Sequence, residues 1–72
     1  MKGISKAELE HLRETYPKGT RVELIRMDDE QAPPHGTLGT VLGVDDIGSL
    51  MMAWDNGSGL NVIWRVDTVR KL

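Results

Sequence analysis

The 72-residue chain contains no cysteine. That removes disulfides, thiolate metal sites and a cysteine nucleophile together. A domain this short buries only about 60% of the surface its unfolded chain exposes. It must therefore hold together by packing, self-association or a ligand. Phenylalanine is also absent, leaving Tyr16, Trp54 and Trp64 as the aromatic residues. No apolar run approaches the roughly 20 residues that span a bilayer. Met1-Lys2-Gly3-Ile4-Ser5 lacks the apolar stretch of a signal peptide. The expectation is a soluble cytoplasmic protein with no membrane partner. A formal net charge of −2 lacks the basic excess of a general nucleic-acid coat. With 39% hydrophobic and 28% charged residues, the composition suits one globular domain over residues 1–72 rather than a disordered segment.

What is present begins with the punctuation of a helix. Ser5 and Glu8 have capping-box spacing, and Ile4 with Leu9 has that of a hydrophobic staple. Leu9, Leu12 and Tyr16 make one apolar stripe, and Pro17 pushes Tyr16 out of the helical region. An amphipathic helical arm over about 5–15 follows, its stripe turned toward the rest of the chain. From Arg21 to Arg26 charged and apolar residues alternate as in a half-buried strand. Residues 28–36 read as an exposed loop. Thr37 to Val44 is β-rich but interrupted by Gly39 and Gly43, which predicts a bent or bulged strand. Leu50, Met52 and Trp54 form one face of a third strand, with Met51 and Ala53 on the other. Asp55-Asn56-Gly57 is a hairpin signal. Leu60–Trp64 reads as a fourth strand, and Val66–Leu72 as a turn and a fifth. Five short, evenly spaced strands predict a mainly β fold, a small bent barrel over about 20–72.

The stretches from Tyr16 to Leu24, Met27-Asp28-Asp29 and Pro33 to Val41 are similar to a small domain of bacteria, their phages and mobile elements. The similarity runs on through Val44 to Gly48, Trp54 to Ser58 and Val66-Asp67. On these ordered motifs, over about residues 14–72, the chain resembles the domain-of-unknown-function family 4314. The resemblance implies a five-stranded SH3-like barrel and no particular activity. Gly36 to Val44 also resembles the glycine-punctuated turn and strand of KOW and Tudor-type barrels. One departure stands out. After Val62-Ile63 the family tends to turn through Pro-Gly, where this chain has Trp64-Arg65.

The acids gather at Asp28-Asp29-Glu30 and at Asp45-Asp46. With His35 they contain the ingredients of a cation site, yet aspartates in loops commonly hydrogen-bond their own backbone as turn formers. No metal or other cofactor is expected. His11 and His35 sit far in sequence from Ser5, Ser49 and Ser58. Catalysis needs a nucleophile, a base and an orienting group in mutual reach, and nothing in the order of residues suggests one. The expectation is a non-enzyme.

Charge placement says more than net charge. From Met27 to Trp64 there are six acids and no Lys or Arg. Basic residues lie at the two ends, and in a small barrel the first and last strands lie side by side. Arg21, Arg26, Arg70 and Lys71 would then share an edge, either steering a phosphate backbone or guarding an edge strand from pairing. Trp54 is expected in the core. Trp64 is either core or an exposed ring that stacks a base or anchors a peptide. Met51 is the apolar side chain expected to be left outside.

The leading expectation is a non-catalytic interaction module for a protein partner or a second copy of itself. Trp64, Met51, Asp28, Asp29 and Glu30 are its contact residues. The alternative is nucleic-acid binding through Arg21, Arg26, Arg65, Arg70 and Lys71 with Trp64 as stacking platform. A third reading, implied by the phage association, is a small protein that sequesters a nucleotide or inhibits a host factor.

Overall fold

A computed structural model describes residues 3–72. Lys2, one of the basic residues counted at the first end, lies outside them. The capping box forms as its spacing predicts: Ser5 Oγ accepts the Glu8 N–H at 3.1 Å, and Glu8 Oε1 accepts the Ser5 N–H at 3.3 Å. Helix α1 runs over Lys6–Thr15. It ends where Tyr16 leaves helical geometry at φ −123°, because the following proline disfavours the α region. None of its residues is fully buried. Leu12 and Tyr16 lie against the core, so the stripe rests on the sheet instead of forming a core of its own.

Four antiparallel strands follow: β1 (Arg21–Arg26), β2 (Leu38–Val44), β3 (Leu50–Trp54) and β4 (Thr68–Lys71), in the order β3-β2-β1-β4. First and last strands are neighbours, with Glu23 opposite Arg70 and Leu24 opposite Val69. Alternation sorts the faces as the sequence pattern requires. Val22, Leu24, Val41, Leu50, Met52 and Trp54 point inward with Val62 to make the core. Each contributes about 1.5–3 kcal/mol on burial for a Val, Leu or Met side chain. The interruption expected in the second strand is a register shift between Val41 and Gly43, which directs Leu42 to solvent at 49% exposure.

The expected fourth strand, Leu60–Trp64, does not form, and the structure is one open four-stranded sheet in place of a five-stranded barrel. The segment approaches β3 in the antiparallel sense. Leu50 and Val62 exchange both backbone hydrogen bonds, at 2.9 and 3.0 Å. Its other backbone groups have different partners. The Leu60 carbonyl accepts the Trp54 indole N–H at 2.8 Å, and the Ile63 N–H donates to Asp67 Oδ2 at 2.9 Å. The Ile63 carbonyl accepts from both Val66 and Asp67. Extending the ladder on β3 would need the Leu60 carbonyl, two residues before Val62, and with that group on the indole one bridge remains.

Trp54 reaches this position because Gly39 lies opposite it across β2 and β3. A Cβ on Gly39 would sit 2.5 Å from Trp54 Cε3 and 3.0 Å from Met52 Cε. Gly39→Ala is therefore expected to destabilise the fold by about 1–3 kcal/mol through overpacking. Urea unfolding monitored by tryptophan fluorescence measures it, and unchanged stability would show that the indole has room to move.

Candidate functional site

The chain leaves β1 through Met27, Asp28 and Asp29 and passes beside Leu60, Asn61, Ile63, Val66 and Asp67, enclosing a groove of about 250 Å³. Two anchors shape it. Leu60 is held by its carbonyl to the buried Trp54 indole. Val62 turns into the core at 4% exposure, which sends its neighbour Ile63 outward at 43%. After Ile63 the chain makes a tight turn closed by Asp67, whose carboxylate accepts the Ile63 N–H while its own N–H donates to the Ile63 carbonyl at 3.0 Å. Val66, on this turn, is 66% exposed. The lining thus combines the apolar Met27, Leu60, Ile63 and Val66 with Asn61 and the acids Asp28, Asp29 and Asp67.

On the rim, Asp29 Oδ1 accepts the Gln31 N–H at 2.8 Å, the turn-forming role expected of a loop aspartate. Asp28 pairs with Arg26 at 3.2 Å, both side chains being at least 71% exposed, where an ion pair contributes about 0–1 kcal/mol. Asp45 is another turn former: its Oδ1 accepts from the backbone N–H groups of Ile47 and Ser49. Among the described residues no three acidic or histidine side chains converge on a point that could hold a metal ion.

The residues singled out from the sequence do not share one surface. Asp28 and Asp29 line the groove, while Glu30 is exposed on the loop beyond it. Trp64 is half-buried and lines the seam between α1 and the sheet with Ala7, Glu8, His11 and Leu12. Arg65 covers its ring, the guanidinium carbon 4.5 Å from the centroid, and reaches Glu8 at 3.2 Å. Trp64 thus borders an opening beside α1, with one side of its ring taken by Arg65. Met51 is 37% exposed, as expected, but on the outer face of the sheet with Leu38 and Leu42.

Of the basic set, Arg21 and Arg26 on β1 and Arg70 and Lys71 on β4 lie on adjacent strands as expected, while Arg65 lies on the turn before β4. Arg21 makes a bidentate pair with Asp55 at 2.8 and 2.6 Å, and Arg70 holds Glu23 at 2.6 Å. Arg26 faces Asp28, Arg65 faces Glu8, and Arg13 faces Asp46. All five arginines of the chain are thus engaged by carboxylates. Lys71 lies exposed on β4. Of the groove, sequence reading missed Met27, Leu60, Ile63, Val66 and Asp67. Their common signal is an apolar pair, Ile63 and Val66, flanking a turn that has Arg65 in the left-handed region at φ 64°.

The sequence from residue 5 to 72 matches a family model described as Domain of unknown function, DUF4314. The chain belongs to that family. No curated protein and no solved structure matches it. In this DUF4314 domain the left-handed slot of the last turn is filled by Arg65, the departure seen in the sequence. A non-glycine residue there costs about 1–2 kcal/mol, against which stand the contacts of Arg65 to Trp64 and Glu8, about 0.5–1 kcal/mol each.

Two predictions follow from these balances. Arg65→Gly is expected to melt within a few degrees of wild type, because strain relief offsets the lost contacts. Arg65→Val loses the contacts and keeps the strain, so its melting temperature should fall clearly below both. The hydrogen bonds of the Arg21 guanidinium hold the Asp55 carboxyl below its ordinary range, against a smaller opposing effect of desolvation and with a still smaller contribution from the guanidinium's charge. A depressed carboxylate contributes stability that is present above its unfolded pKa of about 3.9 and lost as pH falls through the folded value. Asp55→Asn should therefore flatten the stability profile below about pH 4, measured by urea unfolding across pH. An unchanged acid limb would remove this pair as a contributor.

Proposed function

We propose that this DUF4314 domain is a non-catalytic, SH3-like interaction module that binds a protein partner in the groove between the β1–β2 loop and the turn before β4. The SH3-like reading is supported by the bridge between Leu50 and Val62, which puts residues 60–64 where a further strand of such a barrel would run. The observation that carries the functional reading is the exposed apolar pair Ile63 and Val66, at 43% and 66%, held out by a hydrogen-bonded turn beside Met27 and Leu60. Apolar side chains fixed in solvent at a concave surface suit contact with another protein. Two of the hydroxyls weighed for chemistry have structural work: those of Ser5 and Ser58 accept backbone N–H groups. The arginines offered for nucleic-acid binding bring little uncompensated charge, since each already faces a carboxylate.

Affinity capture from host lysate with three baits tests the reading. Wild type is compared with the groove variant Val66→Asp and the outer-face variant Met51→Ser, each first shown to be folded by circular dichroism. A partner held by wild type and Met51→Ser, and reduced at least about tenfold on Val66→Asp, is the expected outcome; about tenfold corresponds to truncating one interface anchor. Retention of every partner by Val66→Asp would move the contact surface away from the groove.

A further inference from the structure

Resting on the interaction reading above, we infer that the groove selects a partner segment bearing a lysine or arginine beside apolar side chains. The reason is charge complementarity over an apolar floor. Met27, Leu60, Ile63 and Val66 offer apolar surface, and Asp28, Asp29 and Asp67 border them. The hydrogen bonds of the last two use one oxygen each, Asp29 Oδ1 and Asp67 Oδ2. The remaining carboxylate oxygens, which a cation needs as acceptors, carry negative charge around the opening. Glu30 adds to the same sign, and Arg65, on the turn between Ile63 and Val66, is turned to Glu8. The cation paired on this rim, Arg26, lies on Asp28 in an exposed contact that a better-placed guanidinium can replace.

The same charge disfavours the other occupants. Phosphates of a nucleic acid or of an anionic lipid surface meet like charge at the rim. A bare cation finds no converging ligand set among the described residues. A second copy of this chain has its five arginines engaged by its own carboxylates, which leaves it Lys6, Lys18 and Lys71 among the described residues. A foreign segment has no such competition, and its apolar neighbours gain the burial that Ile63 and Val66 lack.

Amide NMR of the full chain tests this with three pools of nine-residue peptides. One has central arginine with Leu, Ile or Val at two other positions. The second replaces the arginine by glutamate, and the third replaces the apolar residues by serine. The first pool should shift the amides of residues 27–29, 60–61, 63 and 66–67, and the other two should shift them far less. Asp28→Asn with Asp29→Asn keeps the Oδ1 acceptor of residue 29 and removes two charges, so binding of the first pool should weaken about tenfold at low salt, two rim pairs together. Val66→Ser should weaken it with the charges intact. Equal responses to the arginine and glutamate pools overturn the inference, as does a groove that responds to duplex DNA and to no peptide. A groove silent to all pools also overturns it. In that case a lysate partner lost on Val66→Asp leaves the interaction reading standing, and one retained removes both.

Discussion

Trp54 stands 3% exposed at the end of β3, and its position is set by an absence, the missing side chain of Gly39 opposite. With the ring seated there, its indole N–H needs a partner, because burying that donor unpaired costs about 1–3 kcal/mol. The partner is the Leu60 carbonyl at 2.8 Å. That hydrogen bond takes the segment after the hairpin out of the sheet ladder and fixes where it runs. This contact is the first of the anchors that set the path from Leu60 to Asp67.

The return path then has to get back to β1. Leu50 and Val62 pin it once, Asp67 closes a turn around Ile63, and β4 pairs with β1 through Thr68–Lys71. Between those fixed points the exposed residues are Ile63 and Val66. Their exposure is a consequence of rigid backbone hydrogen bonding on either side, which gives a surface already shaped before any partner arrives. Preorganisation of this kind reduces the ordering cost of association. The helix serves a separate end of the molecule. Leu12 and Tyr16 cover the core, Arg65 lies over the Trp64 ring and pairs with Glu8, and Arg13 ties α1 to Asp46 and the Val44 carbonyl.

Electrostatics follow a similar division. From the order of residues, the cations at the two ends form a basic edge set against an acidic middle. Folding instead brings ends and middle together, since β1 lies between β2 and β4. Arg21 reaches Asp55 and Arg13 reaches Asp46 across more than thirty residues. Of the acids of the β1–β2 loop, Asp28 faces Arg26, and Asp29 and Glu30 face no arginine. On β4, Lys71 lies exposed beside the paired Arg70.

Local rules were enough for much of the fold. The capping box, the proline that ends α1, the alternation of β1 and β3, and the bulge near Gly43 each depend on neighbours within a few residues, so sequence alone determined them. It also determined that Trp54 is core and Met51 is not, because period-two alternation fixes the face. The fate of Leu60–Trp64 was decided by tertiary structure, where an indole from another strand outcompeted the ladder for the Leu60 carbonyl. The groove was decided there too, since Met27, Leu60 and Val66 meet only after β4 returns to β1. Trp64 could not be assigned from its spacing, because alternation stops at the turn and the helix that covers it lies about fifty residues earlier in the chain. Short-range chemistry set the elements, and long-range contacts chose the surface they leave exposed.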